Sequence, residues 1–173
     1  MQDNTTITPA TITDAALLSE LAITTFRETF DEHNKPEDMD RYVAEEMNMS
    51  RLAGELADSA NEFFIARVGS AAAGYAKVRT GILPGGLSGH SPLEIERLYV
   101  LSSYHGQRVG AALMGHCLAL ARARGCDTVW LGVWEHNHKA IAFYRKWGFS
   151  VFGDHIFTLG SDDQTDLLMQ LPL

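Results

Sequence analysis

The sequence predicts a mixed α/β fold in which a central β-sheet of about seven strands carries helices on both faces. Three observations predict it. Apolar residues recur every three or four positions in the first third of the chain, which indicates amphipathic helices. From Glu62 onward the period becomes two, which indicates strands. Further along, a helical segment joins two apolar strands, which predicts that these two strands are parallel.

The first third of the chain is predicted to be mostly helical. A short edge strand comes first, at residues 6–12, because Pro9 has no N–H to donate and an edge strand tolerates that loss. Thr13 or Asp14 is expected to cap the first helix and Ser50 the third, while a proline occupies the first turn of the second. The three helices are expected over residues 14–30, 36–48 and 50–58.

The rest of the chain alternates between strands and helices. An alternating pattern with a Gly-Ser turn predicts a β-hairpin over residues 62–80, and the glycine- and proline-rich stretch that follows is expected to be a surface loop. The later elements are a strand at 93–101, a helix at 109–125, a strand at 127–134, a helix from Asn137 to Gly148 and two strands around a GSDD turn at 160–163.

Composition narrows the functional classes. The 173 residues are expected to form one domain, and no stretch approaches the roughly 18 continuous apolar residues of a membrane helix. The N-terminus lacks the basic start of a secretory signal, so a cytoplasmic location is expected. Cys117 and Cys126 have no metal or redox spacing and are interpreted as free thiols. A net charge of −8 argues against nucleic acid; it suits a cationic substrate, or simply solubility.

The segment from Leu93 to Leu120 carries the main functional signal. An apolar strand leads into a turn bounded by Gly106 and Gly110, and an amphipathic helix starts there. The first N–H groups of a helix have no partner within it, and the helix dipole is positive at that end. We therefore expect the turn to bind an anion, most often a phosphate group.

Two segments together resemble the GNAT superfamily of N-acetyltransferases. The first is LEIERLYV at 93–100 followed by YHGQRVGAALM, and the second is NHKAIAFYRKWGF at 137–149, which is similar to the superfamily pattern N-x-x-A-x-x-F-Y-x-K-x-G-F. The leading helices and the tail look most like the bacterial spermine/spermidine acetyltransferase-like branch. The resemblance implies acetyl-CoA as cofactor and a sheet that splays between its fourth and fifth strands.

The resemblance also implies which residues contact CoA. They lie on the central strand, in the glycine loop and in the second motif: Leu98, Tyr99, Val100, His105, Gly106, Gln107, Arg108, Val109, Gly110, Ala111, Asn137, Ala140, Phe143, Tyr144 and Lys146. The usual loop motif is R/Q-x-x-G-x-G, and this chain departs from it at two positions. His105 stands first, and Arg108 replaces the first glycine. The Arg108 side chain either reaches a CoA phosphate or points to solvent.

Acetyl transfer to an amine needs a base and a proton donor. Glu94 matches the position of the general base in several superfamily members, and Glu96 is the alternative; both would lie on one face of the strand if no bulge intervenes. Ordinary ion pairs with Arg97 or Arg79 are the competing interpretation. Tyr144 matches the tyrosine that protonates the departing CoA sulfur.

The acceptor is expected to bind between the first helices and the last hairpin. The candidate residues for holding an aliphatic amine and its charge are Phe26, Phe30, His33, Tyr42 and His155, with Glu28, Asp31 or Glu32 facing the distal end. The histidines lack metal-ligand spacing, so no metal is expected. The leading hypothesis is an acetyl-CoA-dependent N-acetyltransferase in which a small-molecule primary amine, for example a polyamine, attacks the acetyl group directly in a ternary complex. One alternative is that the acceptor is the amine of a protein or an amino acid, and another is that the chain binds acyl-CoA without catalysis. A homodimer is compatible with each of these hypotheses.

Overall fold

The computed structural model describes residues 5–173, so expectations for the first four residues lie outside it. Within residues 5–173, seven strands form one sheet in the order β1-β2-β3-β4-β5-β7-β6. The strands are β1 (Thr5–Pro9), β2 (Asn61–Val68), β3 (Ala71–Thr80), β4 (Pro92–Val100), β5 (Thr128–Trp134), β6 (Ser150–Leu159) and β7 (Asp162–Pro172). β4 and β5 are parallel and the other neighbours are antiparallel, which confirms the predicted mixed sheet.

Over the described residues, five α-helices cover the two faces of the sheet, as predicted. They are α1 (Ala15–Phe30), α2 (Pro36–Glu46), α3 (Met49–Ala57), α4 (Val109–Ala123) and α5 (His138–Lys146). One core joins the sheet to α4 and α5, and a second joins the opposite face to α1, α2 and α3. Within the described part of the chain, no helix has the length and apolarity that crossing a membrane would require.

The differences from the predicted elements lie at their ends. The first strand stops at Pro9, and Ile12–Asp14 forms a 3-10 turn in which Thr11 and Asp14 bond each other. Ser50 does not cap α3. Asn48 does, because its side-chain oxygen accepts a hydrogen bond from the Arg51 N–H at 2.8 Å. Both Asn48 and Ser50 have side chains that can cap a helix, and α3 begins directly after Asn48, the earlier of the two.

The sheet opens between its fourth and fifth strands. β4 and β5 pair through three successive residues, Pro92 to Glu94 on β4 and Thr128 to Trp130 on β5. Beyond Glu94 the strands separate, and the main chain of β4 keeps its partner on the β3 side only. The predicted splay is therefore confirmed, and it leaves polar main-chain groups of β4 facing a gap.

A bulge interrupts β4 next to this gap. Lys77 pairs with Arg97 and Val78 pairs with Ile95, so Glu96 has no Cα partner in β3. A bulge adds one residue to a strand and changes the direction of the side chains that follow. The expectation that simple alternation sets Glu94 and Glu96 on one face therefore does not apply here.

Candidate active site

A cleft of about 1010 Å³ runs through the opening between β4 and β5. Its walls come from α1, β4, the N-terminal turn of α4, β5, α5 and the β6–β7 hairpin. One end is bordered by the glycine loop before α4, and the other by aromatic and acidic side chains. The cleft therefore joins the predicted phosphate site to the predicted acceptor region.

The loop at the start of α4 presents main-chain donors to one end of the cleft. The first hydrogen bond of the helix runs from the Ala112 N–H to the Arg108 carbonyl, so the preceding N–H groups lack partners within the helix. Gly106 and Arg108 both have left-handed backbone conformations, with φ of 81° and 61°. Arg108 therefore takes the conformation that a glycine would adopt most easily at this position of the motif.

His105 links this loop to two neighbouring elements. Its Nε2 lies 2.9 Å from the Val100 carbonyl at the end of β4, and the Lys139 amine lies 3.2 Å from its Nδ1. Because a carbonyl accepts and an ammonium donates, the proton of the neutral ring is assigned to Nε2. The ring therefore holds the loop against β4 and places a cationic α5 residue beside it.

The two acidic residues of β4 contact basic residues of β3. The Arg79 guanidinium donates to both carboxylate oxygens of Glu94, with the second contact at 3.2 Å, and its remaining nitrogen lies 3.6 Å from Glu96. Lys77, whose side chain is 4% exposed, forms an ion pair with Glu96. Both acids therefore form ion pairs, as the competing interpretation expected, and both also line the cleft.

The network continues away from the cleft. Glu55 of α3 accepts two hydrogen bonds from Arg97, each at 3.0 Å, and lies 3.1 Å from the Lys77 amine. A buried ion stays charged only where partners replace its lost hydration. This network therefore compensates the burial of the acids on β4.

The environment shifts the two candidate bases in opposite directions. Burial raises the pKa of Glu94, and Arg79 only partly opposes that shift. Burial also acts to raise the pKa of Glu96, but Arg97 and Lys77 outweigh it and the pKa is lowered. Glu94 is thus the stronger proton acceptor of the pair.

Tyr144 lies on α5, the helix whose Lys139 contacts His105 of the loop. It is buried against Phe143 and Phe149, with ring centroids 5.5 and 6.0 Å away, and it lines the cleft. Burial raises its pKa to about 12, with a further contribution from nearby Cys117. The phenol therefore keeps its proton at neutral pH and can donate it.

Aromatic side chains form the acceptor end of the cleft. Phe26 stacks on Tyr42 with ring centroids 4.9 Å apart, and Phe157 meets the edge of Tyr42 at 5.8 Å. Trp134 contacts Phe30 at 5.8 Å. All five rings line the cleft, which provides an apolar surface for an aliphatic chain.

The structure brings together nearly all of the predicted site residues. Four do not line the cleft: Gln107, His33, Asp31 and Glu32. The side chain of Gln107 donates to the Ser103 carbonyl, His33 packs on Trp134 at 4.9 Å, and Asp31 forms an ion pair with Arg27 at 3.4 Å. The sequence interpretation missed Gly132 and Asp166, which do line it. The available signal for Gly132 was a lone glycine inside the apolar strand TVWLGVW.

Other reactive groups lie apart from the cleft lining. Cys117 and Cys126 are both free, as expected, and burial raises the pKa of Cys117 to about 12. Across residues 5–173, no three side chains of the metal-binding types are grouped closely enough to hold a metal ion.

Comparison with known proteins gives consistent matches. The model of the Acetyltransferase (GNAT) family matches residues 18–149. An uncharacterized N-acetyltransferase of Lactobacillus delbrueckii subsp. lactis is 36% identical over 149 residues, which is 86% of each chain. The streptothricin acetyltransferase of Streptomyces lavendulae is 36% identical over 83 residues, which is 46% of this chain and 44% of that protein.

A solved structure has the same fold. The PaiA N-acetyltransferase of Thermoplasma acidophilum, in complex with coenzyme A, superposes with a TM-score of 0.78 at 21% identity, over 98% of this chain and 99% of that one. The family match covers most of the chain, and the splayed strands, the helix N-terminus and the buried tyrosine suit a CoA thioester. The chain therefore belongs to the Acetyltransferase (GNAT) family and is an N-acetyltransferase that uses acetyl-CoA.

Proposed function

We propose that the chain transfers the acetyl group of acetyl-CoA to a primary amine of a small molecule by direct attack in a ternary complex. The observation that carries this proposal is the continuity of the cleft. Its loop end suits phosphate, its acidic and aromatic end suits an amine, and the candidate base and acid line the space between. Direct attack needs donor and acceptor in one cavity, and no covalent enzyme intermediate.

CoA would be held by three parts of the chain. The N–H groups of the first turn of α4, from Val109 to Ala111, would donate to its pyrophosphate. Lys139, whose amine lies 3.2 Å from His105 Nδ1, adds positive charge at the same end, and Lys146 also lines the cleft. The main chain of Leu98–Val100, which has no β5 partner, suits the amide groups of the pantetheine arm. When bound, the cofactor supplies the thioester and a thiolate leaving group.

Glu94 would accept the proton of the attacking amine. An alkyl amine is mostly protonated at neutral pH, so its nitrogen becomes nucleophilic only after losing that proton. Glu94 lies in the lining of the cleft where β4 and β5 separate, and its raised pKa makes it a better base. Arg79 uses two of the lone-pair positions of the carboxylate, and a carboxylate has about four, so capacity for the amine remains.

Tyr144 would protonate the departing sulfur. A thiolate leaves more easily when it receives a proton as the bond breaks. The Tyr144 phenol lines the cleft from the α5 side, and its pKa of about 12 keeps it protonated until that step. Glu94 on β4 and Tyr144 on α5 would thus act from different walls of the cleft.

The charge at the acceptor end supports a cationic amine. Glu28, Glu94, Glu96 and Asp166 line the cleft together with Arg79 and Arg97, and Glu94 and Glu96 are partly neutralised by Arg79 and Lys77. The surplus of negative charge attracts an ammonium group and raises its local concentration. The partial match to streptothricin acetyltransferase supports a small molecule as the acetyl acceptor. A polyamine is one small molecule that carries the required positive charge.

The test is amine-dependent release of free CoA from acetyl-CoA. The panel contains an alkyl monoamine, a diamine, an amino acid and a peptide with a free N-terminus. The small amines are expected to stimulate release well above the rate without amine. If only the peptide stimulates CoA release, the acceptor is a protein. If no amine stimulates release while acetyl-CoA still raises the melting temperature, the chain is a non-catalytic acyl-CoA binder.

A further inference from the structure

The β6–β7 hairpin presents a carboxylate and an imidazole to the acceptor end of the cleft. His155 of β6 and Asp166 of β7 are opposite each other in the strand register, and both line the cleft. Asp166 is also opposite Trp134 of β5. Residues opposite each other on neighbouring antiparallel strands have adjacent side chains on one face. The hairpin therefore sets these two groups beside an indole ring.

The carboxylate of Asp166 is half-buried beside His155. Its side chain is 19% exposed, and its Oδ2 lies 3.7 Å from the His155 Nε2, which is longer than a hydrogen bond. Burial raises the pKa of Asp166, and His155 only partly opposes this. A desolvated carboxylate with so little compensation gains from any cation that reaches it.

A glycine keeps the approach to this pair open. Gly132 is exposed although it lies in the middle of β5, because its bare face forms the floor of the cleft. A Cβ at this position would lie 3.6 Å from His155 Cε1 and 3.7 Å from Asp166 Oδ2. Those are ordinary contact distances, so a methyl group would fit the protein but would fill the space in front of the pair.

Aromatic rings border the same space. Trp134 lies beside Asp166 in the register, and Phe157, two residues beyond His155, is on the same face of β6. Both rings line the cleft. A carboxylate beside aromatic rings attracts an ammonium or guanidinium group through charge, and the rings add cation–π attraction.

We infer that His155 and Asp166 form a binding site for a second cationic nitrogen of the acceptor, separate from the nitrogen that is acetylated. The inference rests on the proposed function, because it places the reacting nitrogen near Glu94. Glu94 is opposite Trp130 on β5 and Asp166 is opposite Trp134, four residues further along. At about 3.3 Å per residue the two positions are roughly 13 Å apart along the strand. The chain would therefore select acceptors with two well-separated cationic groups.

Binding of amines to the CoA-saturated protein tests this site without relying on turnover. Calorimetry compares α,ω-diamines of increasing length, each with the n-alkylamine of the same length. The wild type is expected to bind the diamine of fitting length about tenfold more tightly than its monoamine. Asp166→Asn, which keeps the shape and removes the charge, is expected to abolish that preference, with a far smaller loss of affinity for the monoamine than for the diamine and no change in CoA binding.

A steric variant and a matched control separate this role from a structural one. Gly132→Ala is expected to weaken diamine binding with little change in melting temperature. Gly153→Ala places the same methyl group on β6, 3.8 Å from Leu168 and outside the cleft lining, and is expected to leave binding unchanged. Equal loss of monoamine and diamine binding in Asp166→Asn would overturn the inference.

Failure of the inference and failure of the proposed function give different results. If the wild type binds diamines and monoamines alike at every length, the second cation site is wrong even where amines are acetylated. If diamines are preferred through Asp166 but no amine is acetylated, the site stands and the transferase proposal fails.

Discussion

Arg79 donates two hydrogen bonds from its guanidinium to the carboxylate of Glu94, at the point where β4 and β5 separate. The pair fixes the direction of the carboxylate within the cleft wall. It also sets the proton affinity of Glu94, because burial raises the pKa and the guanidinium opposes that shift. Arg79 is therefore expected to position and tune the candidate base.

Arg79→Gln tests this relationship through the pH dependence of kcat/KM. Glu94 accepts a proton only when ionised, so activity should fall as pH drops through its pKa. Removing the guanidinium raises that pKa further, and the acidic limb of the profile should move to higher pH. Arg79→Lys keeps the charge and should leave the limb close to that of the wild type. A limb that does not move in Arg79→Gln would mean that Glu94 is not the titrating group.

Glu94→Gln is expected to reduce kcat by about 10²-fold or more, the typical contribution of a general base. Acetyl-CoA binding should change little, because Glu94 lies before the separated part of β4. Glu96→Gln is the comparison, since its lowered pKa makes it a weaker base. Equal losses in the two variants, with matching losses of stability, would indicate that both acids serve the ion-pair network alone.

Tyr144→Phe should lower kcat by about 10²-fold while the Kd for acetyl-CoA stays within a small factor of the wild-type value. The phenyl ring preserves the packing against Phe143 and Phe149, so only the proton donor is lost. Thiol-release kinetics and calorimetry on the same preparation give both quantities. An unchanged kcat would remove Tyr144 from the role of acid.

The left-handed backbone at Arg108 gives a prediction about stability. Both Arg108→Gly and Arg108→Ala remove the side chain, so their difference isolates the backbone conformation at φ of 61°. An L-residue there costs roughly 1–2 kcal/mol, which glycine partly avoids. The glycine variant should therefore unfold with a free energy about 1 kcal/mol higher than the alanine variant. Equal denaturation midpoints would show that the loop relaxes without strain.

Gly74 controls how closely β3 approaches the end of β4. A Cβ at Gly74 would lie 2.5 Å from the Tyr99 carbonyl oxygen and 3.1 Å from the Val100 Cα. Because both atoms belong to the main chain, Gly74→Ala should lower the free energy of unfolding by roughly 1–3 kcal/mol and weaken acetyl-CoA binding. The control is Gly54→Ala in α3, where a Cβ meets nothing within 4 Å. That change should raise stability by up to about 1 kcal/mol.

Periodicity and motifs predicted the sheet, its helices and most of the cleft lining. The loop at Gly106–Gly110 and the helix from Asn137 were predictable because local residue order determines both. Asp166 could not be placed in this way. Its role depends on the pairing of β7 with both β5 and β6, and pairing register is set by contacts between distant parts of the chain.

The bulge at Glu96 shows the same limit. The alternating sequence pattern of β4 does not reveal the extra residue. The bulge depends on how β4 pairs with β3. The ion pairs of Glu94 and Glu96 were foreseen as an alternative. The sequence could not show that the two acids share Arg79 and have opposite pKa shifts, because burial and three-dimensional neighbours decide that.

The most direct test of the proposed transfer follows the acetyl group itself. The protein is mixed with acetyl-CoA labelled in the acetyl group and with an amine that stimulates CoA release, and the reaction is quenched within one turnover. Mass spectrometry of the protein and of the small molecules then locates the label. Direct attack predicts label on the amine nitrogen and none on the protein. Label retained on the protein, or released as free acetate, would contradict direct transfer to the amine.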